Sequence, residues 1–282
     1  MKKNKVALIL EGGGLRGLFT AGVLDCFIDY NIDFDYVCGV SAGACNAFAF
    51  IAKERGYLKK ALLQKKGKDS FYGVSQMLES HKYVNLDKVF YDYAKKYDFD
   101  FDKFKNSSID WEMVATNIET GLPEYLHSDD IEEAKIIGKA SCSLPLFTDP
   151  VEYNDKLYLD GGIADSIPYQ HCVDKGYKRI VVICTRKKGN FSKVNAAEKQ
   201  LFANVYKKYP NFLKAVKKRT ALYKAQVYKV EQDAEHGDAF LIRPTLPEIG
   251  RLESDLEELS MSYYHGYTKA IEYLDSLKRY MQ

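Results

Sequence analysis

Residues 35–52 restrict the fold more than any other part of the chain, because a short apolar β-type run there passes directly into an Ala-rich helical run. At the junction, residues 39–43 read G-x-S-x-G, with Ser41 between Gly39 and Gly43. Small residues at this spacing allow a strand to turn sharply into a helix and hold the serine in a strained, exposed conformation. The unpaired N–H groups and the dipole of the following helix favour the negative charge that develops during acyl transfer. The stretch therefore predicts a turn that presents a nucleophilic hydroxyl.

A second glycine-rich turn follows the first predicted strand. The apolar run 6–10 is typical of a buried parallel strand, and the glycines come almost directly after it. Because glycine has no Cβ, the N–H groups of this loop can approach a substrate oxygen closely, as in other anion-binding loops at a helix start. We interpret Arg16 either as a support for the loop or its anion, or as a packing or surface arginine. The loop consists of Gly12, Gly13, Gly14, Leu15, Arg16 and Gly17.

The order of the predicted elements indicates an α/β fold with a mostly parallel central sheet and helices on both faces. Apolar runs typical of strands alternate with segments of helical periodicity. In such sheets, ligand sites lie at the carboxyl ends of the strands. The predicted strands lie at about 6–10, 34–40, 111–116, 179–184 and 240–243.

Asp160 is a candidate acceptor for the proton of Ser41. It ends a predicted hairpin at 151–160 and precedes Gly161 and Gly162, which allow the backbone to pack closely around the carboxylate. The simpler interpretation is a β-turn with the sequence Asp-Gly-Gly. Ser41, Asp160 and the glycine-rich loop each follow a different predicted strand, so we expect them to converge at one edge of the sheet.

A histidine is the alternative proton acceptor. In the Ser, Asp, His order of α/β-hydrolases, Asp160 would orient the base, and His171, His236 or His265 would take the proton. None of these histidines stands in a distinctive motif.

The glycine-rich loop, the G-x-S-x-G and the Asp-Gly-Gly at 160–162 together resemble the motifs of the patatin-like phospholipase family. The resemblance covers about residues 5–185 and includes the small-residue stretch at 140–147, although Glu11 stands where the family often has Asp. It implies a three-layer fold, a Ser41–Asp160 dyad and an oxyanion loop.

The same resemblance implies an activity. Members of the family are lipid acyl hydrolases, so the expected substrate is a fatty acyl ester of a phospholipid or a related lipid. It implies no metal or organic cofactor and no nucleic acid partner. Acyl transfer to an alcohol other than water, or hydrolysis of small esters, remains open because the first half-reaction is the same.

We expect one domain from the 282 residues. A catalytic core would span residues 1–185 and contain a helical insertion at about 57–110 that lies over the site. Residues 186–282 would form a mainly helical region packed on the same domain. The sequence leaves the oligomeric state open.

Composition predicts a cytoplasmic protein. The apolar run after the basic N-terminus is too short for a signal peptide, and no run approaches eighteen apolar residues. Six scattered cysteines without a C-x-x-C pair are typical of reduced thiols. The net charge is +2, yet Glu198 is the only acid among the twelve bases between Lys187 and Lys229. This basic segment is interpreted either as a solvated helical face or as a surface that contacts an anionic membrane transiently.

Two alternative functions belong to other classes of protein. The spacing of Gly12, Gly14 and Gly17 also satisfies the dinucleotide-binding fingerprint, but the second predicted strand ends at Ser41 rather than at an acidic residue. A non-catalytic lipid-binding protein is the second rival, and the intact serine, aspartate and glycine loop argue against it.

Overall fold

The structure is a computed structural model that describes residues 5–63, 70–80, 82–191 and 196–282. Within these residues, one eight-stranded sheet organises the fold. Its strands are β1 (Val6–Leu10), β2 (Tyr36–Val40), β3 (Asp110–Asn117), β4 (Pro123–Leu126), β5 (Val151–Tyr153), β6 (Lys156–Asp160), β7 (Arg179–Ile183) and β8 (Ala239–Ile242). The α-helices are α1 (Gly17–Asp29), α2 (Ala42–Ile51), α3 (Tyr57–Leu62), α4 (Val74–Ser80), α5 (Tyr93–Lys96), α6 (Phe101–Lys105), α7 (Ile131–Cys142), α8 (Tyr169–Asp174), α9 (Ala196–Val205), α10 (Pro210–His236) and α11 (Leu256–Met281).

The centre of the sheet is parallel. β1 pairs with β2 on one side and with β7 on the other, while β3 continues beyond β2 and β8 continues beyond β7. Every residue of β1 and β2 is buried because both faces are covered: Leu8 joins the core on one face and Ile9 the core on the other. The predicted α/β fold, with a mostly parallel sheet and helices on both faces, is confirmed.

Strand β3 explains how distant parts of the chain meet. Val114 pairs with Val40 of β2 on one edge and with β4 on the other. β2 ends at Val40, and from Ala115 onward the vacated edge of β3 pairs with the antiparallel strand β6. Asp160, the last residue of β6, therefore lies beside Ser41, which is 119 positions away in the chain.

The helices pack closely on both faces. α1, α2 and α11 contribute to the core on one face of the sheet, and α8 and α10 contribute to the core on the other. A Cβ on Gly22 of α1 would lie 2.0 Å from the carbonyl oxygen of Tyr263, and a Cβ on Gly266 of α11 would lie 1.9 Å from that of Phe19. Glycine at both positions therefore allows α1 and α11 to approach each other.

The remaining predicted segments contain helices. Residues 57–110 include α3, α4, α5, α6 and a π-helical turn at Lys88–Asp92, and residues 186–282 include α9, α10, α11 and strand β8. The division of the chain at about residue 185 stays a prediction. Among the residues that the structure describes, none of the helices has both the length and the apolar character needed to span a membrane.

Candidate active site

Ser41 occupies a strained turn between β2 and α2. Its φ of 55° and ψ of −122° place it in a region that residues other than glycine rarely adopt. A Cβ on Gly43 would lie 2.0 Å from the carbonyl oxygen of Leu10, and a Cβ on Gly39 would lie 2.8 Å from the Cα of Ala44. The two glycines therefore let the turn pack against its neighbours.

The hydroxyl of Ser41 faces a buried carboxylate. Ser41 Oγ donates a hydrogen bond of 2.6 Å to Asp160 Oδ2, and Gly162 N donates one of 2.8 Å to Asp160 Oδ1. A Cβ on Gly161 would lie 2.1 Å from the carbonyl oxygen of Val114, so this glycine permits the backbone after Asp160 to pass directly over β3. The structure thus brings together the two side chains that the sequence placed after separate strands.

Burial governs the proton affinity of Asp160. Burial raises the pKa of its carboxyl above the ordinary value, while the hydrogen bond from Ser41 and the charge of Arg219 lower it. A carboxylate with a raised pKa is a better proton acceptor than an exposed one. The arrangement can therefore accept a proton from the serine hydroxyl.

The glycine-rich loop passes beside Ser41. A Cβ on Gly12 would lie 2.8 Å from the Cβ of Ser41. The amide of Leu15 donates to the carbonyl oxygen of Arg251 at 2.9 Å, whereas the amides of Gly12, Gly13 and Gly14 have no backbone acceptor among the described residues. The three glycines line the same cavity as Ser41, and backbone amides of this kind can donate hydrogen bonds to an oxyanion.

Arg16 and Gly17 end this loop. Arg16 is buried, its Nε donates to the carbonyl oxygen of Gly13 at 3.3 Å, and its Nη1 lies 3.8 Å from Glu248 Oε2. Gly17 begins α1, and a Cβ there would lie 3.0 Å from that of Ala42. Of the two interpretations of Arg16, these contacts favour support of the loop.

Helix α7 holds the backbone of Ser41. Ser141 Oγ accepts a hydrogen bond of 2.9 Å from Ser41 N, and Cys142 Sγ donates one of 3.0 Å to Ser41 O. The sequence had drawn attention to residues 140–147 only through the family resemblance, without a role for either side chain. Their small size at the end of α7 is what lets this helix approach the turn.

The described histidines lie elsewhere. His171 Nε2 lies 2.6 Å from Glu112 Oε2, and the ring stacks on Tyr125 at 3.5 Å. His265 contacts Thr245, and His236 ends α10. None of the histidines that the structure describes forms a hydrogen bond with Ser41 or Asp160. His81 lies outside the described residues.

Two cavities meet at Ser41. The larger, about 260 Å³, is here called the polar chamber and is lined by the glycine loop, Asp160 and charged side chains. The smaller, about 80 Å³, is called the apolar chamber and is lined largely by aliphatic and aromatic side chains. Gly14, Ser41, Leu144 and Arg251 line both chambers. Ser41 therefore lies at the boundary between a charged and an apolar environment.

The helical segment 57–110 supplies most of the apolar wall. Its contribution comes from α3, from the chain before the π-helical turn, from Val89 within that turn and from Tyr93 directly after it. That the segment forms an insertion over the site stays a prediction. The lining residues from the segment are Tyr57, Leu58, Ala61, Leu62, Phe71, Val84, Leu86, Val89 and Tyr93.

Sequence reasoning missed three arginines of the polar chamber. Arg186 lies just beyond Ile183, the last residue of β7. The expectation that functional groups follow the carboxyl ends of parallel strands, which pointed to Ser41, would also have pointed to Arg186. The sequence analysis counted Arg219 only as part of the basic segment. Arg219 follows Val216 on the buried stripe of α10, and a charged residue on a buried stripe indicates a functional position. Arg251 lies in a loop before α11 and has no periodic signal.

The residues with assigned structure contain no group of three or more histidine, cysteine or acidic side chains placed to hold a metal ion.

Two family models match the chain. The model described as patatin-like phospholipase matches residues 8–173, which include both Ser41 and Asp160. A domain of unknown function, DUF6363, matches residues 209–282 and therefore includes Arg219 and Arg251.

The curated relatives are longer than this chain. An uncharacterized protein of Escherichia coli K12, YjjU, is 33% identical over 187 residues, which cover 64% of this chain and 52% of the relative. Lysophospholipase NTE1 of Meyerozyma guilliermondii is 23% identical over 297 residues, which cover 99% of this chain and 20% of the relative. This chain therefore spans about half of the first relative and a fifth of the second.

Among solved structures, VipD of Legionella pneumophila aligns with 97% of this chain and 67% of its own chain. The TM-score is 0.47 and the sequence identity is 14%. That degree of likeness is too low to support an argument about function.

Proposed function

The chain belongs to the patatin-like phospholipase family, and on that premise we propose that it is a serine acyl hydrolase that cleaves fatty acyl esters of phospholipids or related lipids. The observation that carries the proposal is the 2.6 Å hydrogen bond from Ser41 Oγ to the buried carboxylate of Asp160. A serine hydroxyl becomes an effective nucleophile when an adjacent base takes its proton.

In the proposed mechanism, Ser41 Oγ attacks the ester carbonyl carbon while Asp160 takes the hydroxyl proton. The amides of Gly12, Gly13 and Gly14 donate to the oxyanion of the tetrahedral intermediate, which collapses when the leaving alcohol receives the proton from Asp160. Water then attacks the acyl-enzyme, Asp160 takes a proton from the water, and that proton returns to Ser41 as the fatty acid leaves. Asp160 therefore takes one proton and gives up one proton in each half-reaction, and it ends each one unprotonated.

The supporting glycines have separate proposed roles. Gly39 and Gly43 permit the turn at Ser41, and Gly161 permits the close approach of the segment after Asp160 to β3. Gly162 N orients the carboxylate by donating to Asp160 Oδ1. Leu15, Arg16 and Gly17 complete the oxyanion loop as its support rather than as donors, since the Leu15 amide already has an acceptor.

A lipid substrate fits the surroundings of the nucleophile. Relatives that match this chain at 23–25% identity are named lysophospholipases. The apolar chamber offers a place for an acyl chain next to Ser41, and burying a chain there is favourable because it removes apolar surface from water.

We also propose a cytoplasmic location with transient contact at an anionic membrane surface. All six cysteines are free, which suits a reducing compartment. The basic segment includes exposed side chains of α10 such as Lys217 and Lys218, while Lys193 lies outside the described residues. Exposed lysines are attracted to anionic lipid surfaces.

Ser41→Ala tests the proposal. We expect this variant to lose hydrolysis of p-nitrophenyl acyl esters and labelling by a fluorophosphonate probe while it keeps the circular dichroism spectrum of the parent protein. Ser166→Ala is the matched control, because Ser166 also lines the polar chamber but donates its hydroxyl to Gly162 O. Retained turnover in Ser41→Ala, or loss of labelling in Ser166→Ala alone, would remove Ser41 from the mechanism.

A further inference from the structure

The polar chamber concentrates positive charge beside the nucleophile. Four guanidinium groups line it, and three of them come from residues beyond the 8–173 match: Arg186 after β7, Arg219 on α10 and Arg251 before α11. Three elements that are distant in sequence therefore deliver the same kind of charged group to one cavity of about 260 Å³.

Contacts separate Arg16 from the other three arginines. Arg16 binds Gly13 O and faces Glu248, so its charge serves the loop. Arg219 donates a hydrogen bond of 2.6 Å from its Nε to Gly162 O, and its side chain lines the chamber. Arg186 lies over the ring of Tyr223 at 5.6 Å, a contact that orients its guanidinium plane.

The charge of the chamber changes during the proposed reaction. Among the described lining residues, Glu11, Asp160 and Glu198 carry carboxyl groups, and three arginines other than Arg16 carry guanidinium groups. Glu11 accepts a 2.6 Å hydrogen bond from Thr185 N, and Asp160 accepts one from Ser41. When Asp160 takes the proton of Ser41, its negative charge is lost, and the three guanidinium groups then face two carboxyl groups.

Electrostatic repulsion among Arg186, Arg219 and Arg251 also favours the binding of an anion. Burial lowers the pKa of Arg251, and the neighbouring charge of Arg186 lowers it further. Burial and the charge of Arg251 lower the pKa of Arg219 in the same way. Like charges held together with little water are unfavourable unless an anion joins them.

We propose that the polar chamber binds the phosphate group of an anionic acyl glycerophosphate, with Arg186, Arg219 and Arg251 as its ligands. The inference rests on the proposed function, because the acyl chain of the same molecule lies in the apolar chamber and its ester at Ser41. Guanidinium groups present a planar fork of donors that matches phosphate oxygens. Arg251, which lines both chambers, lies where the headgroup and the chain separate.

The size of the chamber suits a headgroup rather than a whole lipid. Pockets for complete drug-sized ligands occupy about 300–1,000 Å³, and the polar chamber is smaller, at about 260 Å³. A glycerol phosphate group thus occupies the polar side, and the remainder of the molecule must extend through the boundary at Ser41.

Substrate preference provides the first test. The ratio of kcat/KM for 1-acyl-glycerol 3-phosphate to kcat/KM for monoacylglycerol with the same chain should exceed one in the parent protein. Arg251→Gln and Arg186→Gln should each lower that ratio by about tenfold or more, since each removes a charge-assisted hydrogen bond. Arg279→Gln is the matched control, because it removes an exposed guanidinium group near the end of α11 that lines neither chamber, and it should leave the ratio unchanged.

Binding without turnover provides the second test. In the Ser41→Ala protein, isothermal titration calorimetry should detect glycerol 3-phosphate, and Arg251→Gln in that background should weaken its affinity by about tenfold. Inorganic phosphate is the parallel arm. Equal affinity for inorganic phosphate, together with a substrate ratio near one, would assign the chamber to free phosphate and overturn the headgroup inference.

The two proposals fail in different ways. Hydrolysis of neutral esters with no headgroup preference in any variant would overturn the phosphate subsite and leave the hydrolase proposal intact. Arginine-dependent binding of glycerol 3-phosphate by a protein that hydrolyses no acyl ester would overturn the hydrolase proposal and support the subsite.

Discussion

The two chambers that meet at Ser41 are built in different ways. The walls of the polar chamber come from loops after β1, β2, β6 and β7 and from the distant elements that carry Arg219 and Arg251. Most of the apolar wall comes from one continuous part of the chain between Tyr57 and Tyr93. The polar chamber thus depends on long-range convergence of specific groups, whereas the apolar chamber needs only bulk and hydrophobicity.

This difference predicts different responses to substitution. A hydrogen bond or a charge in the polar chamber acts at one atom, so its loss should remove a step of the chemistry. Contacts in the apolar chamber are many and individually weak, so a single change there should shift preference in proportion to the volume it alters. Changes outside both chambers should affect stability alone.

The largest effect should follow a change in the polar chamber. Asp160→Asn should lower kcat by about 10²–10⁴-fold, because an amide does not take the proton of Ser41. Asp165→Asn is the matched control: Asp165 is also buried with a raised pKa, but it accepts from Tyr125 and Gln226. Steady-state kinetics should show the loss in the first variant and a much smaller change in the second. Equal losses in both would refute a special role for Asp160.

The pH profile sharpens the same prediction. Asp160 must be ionised to accept a proton, and burial raises its pKa, so kcat/KM should increase with pH through a value above the ordinary 3.9 of aspartate. The free energy of unfolding should change with pH in the opposite direction. A raised pKa in the folded state means that folding favours the protonated carboxyl, and this contribution to stability is lost as pH rises through that pKa. Asp160→Asn should remove both trends, which kinetics and thermal unfolding can follow.

An intermediate effect should follow a change in the apolar chamber. Leu86→Trp should fill part of this chamber and lower kcat/KM for long-chain esters relative to acetate esters. Each methylene group of the acyl chain that is excluded from the chamber loses about 0.8 kcal/mol of hydrophobic transfer free energy. Excluding two methylene groups should therefore change the ratio roughly tenfold. Leu78→Trp is the control, because Leu78 is exposed on α4 and lines neither chamber. An unchanged chain-length profile in Leu86→Trp would show that the acyl chain lies elsewhere.

The smallest effect on activity should follow a change outside both chambers. His171→Ala should leave kcat within about twofold while it destabilises the fold by about 1–3 kcal/mol, since it removes the hydrogen bond to Glu112 and the stack on Tyr125. Chemical denaturation and ester kinetics on the same preparation test both statements. A folded His171→Ala protein without activity would instead favour a Ser-His-Asp triad.

Much of the fold could be predicted from local patterns. The expected strands at 6–10, 34–40, 111–116, 179–184 and 240–243 correspond to β1, β2, β3, β7 and β8 within a few residues. Apolar runs identify buried strands because both faces of a parallel sheet are covered. The family assignment inferred from the three motifs is confirmed, while the catalytic roles of Ser41 and Asp160 stay predictions.

Positions that depend on register could not be predicted in the same way. Asp160 read alone was compatible with an ordinary β-turn, and only the pairing of Ala115 with Asp160 in β6 sets it beside Ser41. The supports from Ser141 and Cys142 depend likewise on where α7 ends against β2. Such contacts result from competition among many possible strand and helix pairings, which no short stretch of sequence encodes.

The sequence alone determined the tight turn at Ser41, because the steric demands that Gly39 and Gly43 satisfy act within a few residues. The tertiary structure alone decided that β6 takes the edge of β3 that β2 leaves, and that Arg186, Arg219 and Arg251 face one cavity. The physical reason is range: backbone sterics act between neighbours in the chain, whereas edge pairing and charge convergence follow from the packing of the whole molecule.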